Sequence, residues 1–154
     1  MHPLLRWLVY PIATGLGAGY APKAPGTFGT LVGAIAAWFA WPHLSIWGRA
    51  IAIGVTVVVG TLCASAMERD LAKHDPQCVV IDEIAGVALT LWAVDVRLWQ
   101  FGLGFVLFRL FDIWKPWLIG HAGKLPGGVG VMADDIVAGF VALACMIPIL
   151  RWMT

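Results

Sequence analysis

Twenty-one consecutive residues, Ile46 to Ala66, carry a single charge, Arg49. Few folds accept such a run. A stretch of about 20 apolar residues matches the thickness of a bilayer core. One arginine near its end can snorkel its head group to water. The rest of the chain agrees: 60% of its 154 residues are hydrophobic and 12% are charged, against roughly 25% charged in an average soluble domain. A globule of this size exposes too much surface to leave so few charges for water. Nine tryptophans fit the same reading, because Trp collects at membrane–water boundaries. Composition therefore excludes disorder and points to a single membrane-embedded domain, residues 1–154.

Four further apolar segments accompany the first: Phe28 to Trp41, Val79 to Val94, Leu98 to Trp114 and Asp135 to Trp152. They predict an all-α, polytopic integral membrane bundle of four to five spanning or partly spanning helices. Phe28–Trp41, Val79–Val94 and Leu98–Trp114 are the weakest spans, being shorter than about 20 residues. The stretch Trp7–Tyr20 follows Arg6 as in a signal peptide, but Pro11, Gly15, Gly17 and Gly19 interrupt it. It reads instead as a short N-terminal interfacial or re-entrant helix.

The connections Pro42–Ser45 and Asp95–Arg97 are short enough for helical hairpins. Gly19–Thr27, Met67–Cys78 and Lys115–Ala133 are longer and polar. With five spans the long segments share one face. That face holds Arg6, Lys23, Arg69, Lys73, Lys115 and Lys124, while the other holds Arg49, Arg97 and Arg151. The excess of positive charge assigns the long segments to the cytoplasm. A net charge of +1 leaves no basic footprint for nucleic acid. Three scattered cysteines, Cys63, Cys78 and Cys145, make neither a disulfide framework nor a zinc knuckle.

The placement of carboxylates is the main functional signal. Asp82 and Glu83 open the third segment, Asp112 lies near the end of the fourth, and Asp134 and Asp135 open the fifth. In the five-span arrangement all five meet at one face. Ionisable groups within spans are expensive and mark function by default. Packed together they repel, and a divalent cation relieves the repulsion; all-oxygen ligands suit Mg²⁺, Mn²⁺ or Ca²⁺. Simpler readings compete. Asp134 or Asp135 would serve as an N-cap, and Arg109 with Asp112 as an i, i+3 pair. An Asp82-Glu83 pair amid Val79-Val80-Ile81 and Ile84-Ala85-Gly86 has no such inexpensive role.

Basic groups lie near the acids. Arg109, Asp112 and Lys115 recur near one helical face, and Pro116 predicts that the helix ends at Lys115. An Arg fork beside a Lys point charge suits a phosphate. Two Gly-rich turns, Pro25–Thr30 with Thr27 and Thr30, and Gly127-Gly128-Val129-Gly130, would present N–H groups to an anion if each opens a helix. His74-Asp75 adds a candidate for proton transfer, although a histidine in a polar loop is more often simply solvated. Cys63 to Arg69 has the C-x5-R spacing of cysteine phosphatases, but it lacks the anion loop that lowers a thiol pKa. No aspartyl-phosphate motif D-x-D-x-[TV] occurs.

Five blocks occur in order: Pro25–Thr30, His74-Asp75, Ile81-Asp82-Glu83-Ile84-Ala85-Gly86, Phe108–Trp117 and Gly127–Gly139. Together they resemble the phosphatidylglycerophosphatase A family of bacteria across nearly the whole chain. The resemblance implies an Mg²⁺-dependent enzyme of the bacterial inner membrane. It would hydrolyse the terminal phosphate monoester of phosphatidylglycerophosphate to phosphatidylglycerol and phosphate. Metal polarisation of a phosphoryl oxygen and activation of a water fit that reaction. Asp82, Glu83 and Asp135 are the first candidate ligands, Asp134 and Asp112 the second. Arg109 and Lys115 would neutralise phosphate oxygens, and His74 or Asp75 would assist proton transfer. Water or a carboxylate, Asp82 included, serves equally as nucleophile on this sequence. A small ion-coupled transporter is the alternative, but it needs charges near mid-membrane and access from both faces.

Overall fold

The computed structural model describes residues 1–153, the side chains of residues 117 and 118 excepted. Seven α-helices form it: α1 Pro3–Ala13, α2 Pro25–Ala40, α3 Ile46–Leu71, α4 Ile81–Thr90, α5 Leu98–Trp114, α6 Trp117–Ala122 and α7 Gly128–Met153. Single 3-10 turns lie at Ala18–Tyr20 and Trp41–His43. No strand occurs among the described residues.

Local chemistry sets the boundaries. Pro25 occupies the first turn of α2, where its missing N–H costs nothing. Ser45 caps α3 by accepting from the Gly48 N–H at 3.2 Å. Lys115 ends α5 in the left-handed region, φ 42°, a C-cap conformation that stops the helix just before Pro116.

α3 and α7, 26 residues each, are long and apolar enough to cross a membrane. α2 and α5 have 16 and 17 residues, or about 24 and 26 Å at 1.5 Å per residue. α4 departs most from expectation. The apolar run Val79–Val94 contains only ten helical residues, about 15 Å, too short to cross. Instead α4 is the core of the bundle, packed against α2, α3, α5 and α7. Its contact with α7 is backbone-close: a Cβ on Gly139 would lie 2.5 Å from the Gly86 carbonyl oxygen. Small residues permit such approach where no hydrophobic effect drives helices together. The Thr90 hydroxyl donates to the Gly86 and Gly139 carbonyls at 3.1 and 3.3 Å.

The outer surface is apolar. Leu31, Ile35, Phe39, Val55, Val58, Leu62, Val106, Leu110 and Phe140 all point outward, as lipid contact requires and water contact does not. Exposed tryptophans lie toward both ends of the bundle, Trp47 and Trp152 at one and Trp114 at the other.

α1 is an 11-residue helix, too short to span, and it is tied to the end of α3. Asp70 there accepts from the N-terminal ammonium at 2.8 Å, Arg6 Nη2 at 3.0 Å and the Tyr10 hydroxyl at 2.8 Å. At the opposite end Arg49 does not snorkel. It turns inward and donates from Nη1 to the Trp92 and Val94 carbonyls, at 3.1 and 3.0 Å, and from Nη2 to the Trp41 carbonyl at 3.1 Å. Only its Nε lacks an acceptor. Carbonyls where the chain leaves α2 and α4 offer more than the interface does.

Candidate active site

Three helix ends converge on one cavity of about 550 Å³. The first turn of α4 supplies Asp82 and Glu83, where the helix dipole favours negative charge. The last turns of α5 supply Arg109 and Asp112, with Lys115 at its C-cap. The second turn of α7 supplies Asp134 and Asp135. Pro22 to Gly26 and Asp75 to Val79 complete the wall. Gly26 matters for its lack of a side chain: a Cβ there would lie 2.2 Å from Glu83 Oε1 and 3.1 Å from Arg109 Nη1.

The acids divide into two sets. Asp112 is ion-paired with Arg109, and Asp134 with Lys115. Asp82, Glu83 and Asp135 instead each offer one oxygen to a common point, these atoms lying within 4.8 Å of one another. Among the described residues, Asp82 Oδ1, Glu83 Oε2 and Asp135 Oδ2 are buried without a hydrogen-bond partner. A buried carboxylate oxygen with no donor is costly, and three together repel. A hard divalent cation answers both problems, so the residues present fit a metal. Arg109 Nε is likewise buried without an acceptor, which leaves a donor for an anion. Burial works to lower the pKa of Lys115. The Asp134 hydrogen bond and the charges of Asp134, Asp135 and Asp112 outweigh burial, so the ammonium stays above the ordinary lysine value.

The cavity thus gathers Asp75, Asp82, Glu83, Arg109, Asp112, Lys115, Asp134 and Asp135. Other expected residues fall elsewhere. His74 is exposed and its Nδ1 meets Glu68 Oε1 at 2.7 Å, outside the cavity wall. Thr30 is fully buried and its hydroxyl donates to the Gly26 carbonyl at 2.8 Å; Thr27 is not part of the wall either. Gly127 and Gly128 do not form an anion turn before the Asp pair. α7 already begins at Gly128, whose N–H donates to Ser65 Oγ at 3.0 Å. A Cβ on Gly128 would meet the Thr61 carbonyl oxygen at 2.5 Å, so this glycine permits packing of α7 on α3. The same early start places Asp134 and Asp135 inside the helix, which removes the N-cap reading. The i, i+3 pair of Arg109 and Asp112 does form, and it does so on the cavity wall.

Glu68 escaped the sequence reading. It accepts the Asp75 N–H at 2.9 Å and so fixes the loop that carries Asp75 to the cavity. A lone glutamate at the end of an apolar helix gives no signal of this kind.

The phosphatidylglycerophosphatase A family model matches residues 11–150. The chain belongs to this family. It is 36% identical over 133 residues to the phosphatidylglycerophosphatase A of Escherichia coli, covering 85% of this chain and 77% of that one. The Haemophilus influenzae protein of the same name is 34% identical over 147 residues, 94% of this chain and 90% of the relative. A Bacteroides thetaiotaomicron protein, provisionally named a phosphatidylinositol-3-phosphatase, is 38% identical over 149 residues, 92% of each chain. No solved structure matches. As a family member the chain is a lipid phosphatase, and the transporter alternative has no support.

Proposed function

We propose that this family member hydrolyses the terminal phosphate monoester of phosphatidylglycerophosphate in the cavity between α4, α5 and α7, with Mg²⁺ held by Asp82, Glu83 and Asp135. The observation that carries the reading is the set of three buried, unpartnered carboxylate oxygens facing two basic groups. When bound, the cation would polarise a phosphoryl oxygen and lower the pKa of a water.

The chain's own groups do the rest. Arg109 donates through its free Nε to the phosphoryl oxygens, and Lys115 donates from the ammonium protons that Asp134 leaves unused. Asp112 and Asp134 hold these bases in place and keep them charged. Asp75 is the cavity carboxylate outside both the cation set and the two ion pairs. It takes the proton of the attacking water as the new P–O bond forms, and returns it to the glycerol oxygen as the ester P–O bond breaks. Placing charge where it develops in the transition state supplies the main catalytic effect.

The finer architecture belongs to the same proposal. The chain acts as one domain of four to five spanning or partly spanning helices in a bacterial inner membrane. α4 lies within the bundle, and the cavity opens at headgroup depth on the cytoplasmic face. The basic excess around the long connections supports this orientation.

The test is phosphate release from phosphatidylglycerophosphate by purified protein in detergent. Chelator should abolish turnover and Mg²⁺ should restore it. Full turnover in excess chelator contradicts the metal assignment, and no turnover under any condition contradicts the substrate.

A further inference from the structure

The Glu68 side chain, near the end of α3, is only 9% exposed. Its Oε1 accepts twice from the loop that follows: from the Asp75 N–H at 2.9 Å and from His74 Nδ1 at 2.7 Å. Its backbone carbonyl accepts the Lys73 N–H at 3.2 Å. Lys73, His74 and Asp75 are thus all tied to one glutamate. One turn earlier on α3, Ser65 Oγ accepts the Gly128 N–H at 3.0 Å. The end of α3 therefore anchors both the loop that carries Asp75 and the start of the helix that carries Asp134 and Asp135.

The loop depends on this anchor. Ala72 and Asp75 both lie in the left-handed region, φ 48° and 46°. Residues with a side chain keep such a conformation only where their surroundings hold it. Asp75 stands on the cavity wall. Among the described residues its carboxylate has no hydrogen bond of its own, so its place is set by its backbone, and the backbone by Glu68. His74 lies on the far side of Glu68, exposed and outside the wall. Its route to the cavity is the Glu68 oxygen that it shares with Asp75.

We infer that Glu68 and His74 are positioning residues for Asp75: the imidazole orients the Glu68 carboxylate, which fixes the loop that presents Asp75 to the substrate phosphate. The inference rests on the proton transfer proposed above for Asp75. A general base must lie within hydrogen-bond reach of the proton it takes, and a small displacement is costly. Arg109, Lys115 and the cation set, not Asp75, hold the phosphate. Loss of the anchor should therefore lower kcat and leave KM near wild type.

Turnover of phosphatidylglycerophosphate with Mg²⁺ is to be measured for variants at wild-type helicity and elution. Asp75→Asn should lose about 10²-fold in kcat. Glu68→Met and His74→Ala should each lose about 10-fold in kcat with KM little changed. Glu68→Gln keeps an acceptor oxygen and His74→Asn keeps a donor near the Nδ1 position, so each should restore most of the loss. Glu68→Met added to Asp75→Asn should cost nothing further, because no base remains to be positioned. If Glu68→Met fails to fold, His74→Ala, a change at an exposed side chain, carries the same test alone and in the Asp75→Asn background. Wild-type kcat in Glu68→Met or His74→Ala, beside an impaired Asp75→Asn, would overturn the inference alone. Additive losses in the double variant would do the same, as would a His74→Asn protein as impaired as Asp75→Asn, which would make His74 itself the proton carrier. Near-wild-type turnover by Asp75→Asn would instead overturn the proton transfer proposed for Asp75, and the inference with it.

Discussion

Arg49 at one end of the bundle and Asp82, Glu83 and Asp135 at the other are all ionisable groups drawn in from the surface, yet their surroundings differ. Arg49 meets three backbone carbonyls. The three acids each present an oxygen that meets nothing among the described residues. A charge whose partners are built into the fold stabilises that fold. Charges left facing one another lower stability, and on the function proposed above a bound cation would complete them. On that proposal the difference separates a structural end of the bundle from a functional one.

The largest expected effect that would sharpen this contrast is at Arg109. Arg109→Lys keeps the charge and loses the planar fork and the free Nε. Turnover should fall by about 10²–10³-fold in a protein that remains folded. Restoration of activity by the exchange Arg109→Asp with Asp112→Arg would reduce the pair to a simple salt bridge. Arg49→Met should do the reverse. Three charged hydrogen bonds disappear and the Trp92 and Val94 carbonyls lose their donor, a cost of about 3 kcal/mol. Thermal denaturation in detergent should show the loss, while turnover per folded molecule stays near wild type. A folded Arg49→Met protein without activity would break the division between the ends.

The smallest perturbation concerns orientation alone. Single cysteines replacing Lys124 and Arg97, on a background lacking Cys63, Cys78 and Cys145, are to be labelled in intact cells with an impermeant thiol reagent. Position 124 should be protected and position 97 accessible, with activity unchanged. The opposite pattern, or equal labelling, contradicts a cytoplasmic cavity.

The acid half of the contrast was legible in the sequence, because membrane burial makes each charge conspicuous; Arg49 was not, since it reads as a snorkelling group and instead turns inward. Asp82, Glu83, Asp112, Asp134 and Asp135 were expected at one face, and they line one cavity. α5 runs from Leu98 to Trp114 as read from the apolar run and Pro116. What was not legible follows from packing. Glycine marks a turn in a lone sequence, but Gly128 and Gly130 begin α7 because a side chain there would strike α3 or the preceding loop. Polar residues mark a loop, but α3 continues past Ala66 to Leu71 because Glu68 and Asp70 have partners on the 72–75 loop and on α1. Val79–Val94 has the composition of a span, yet only tertiary contacts decide that it is a ten-residue core helix. Which acids pair with a base and which stay bare depends on distances between helices that no spacing encodes.

Asp82 offers the most direct test, because stability and activity there should part. Asp82→Asn is nearly isosteric and removes one of three mutually repelling charges. Turnover and thermal midpoint are to be measured on the same purified sample. Hydrolysis should be lost by at least about 10²-fold, while the midpoint in the absence of divalent cation equals or exceeds that of wild type. A less stable Asp82→Asn protein that keeps near-wild-type turnover per folded molecule would show instead that Asp82 is a structural acid and that the site lies elsewhere.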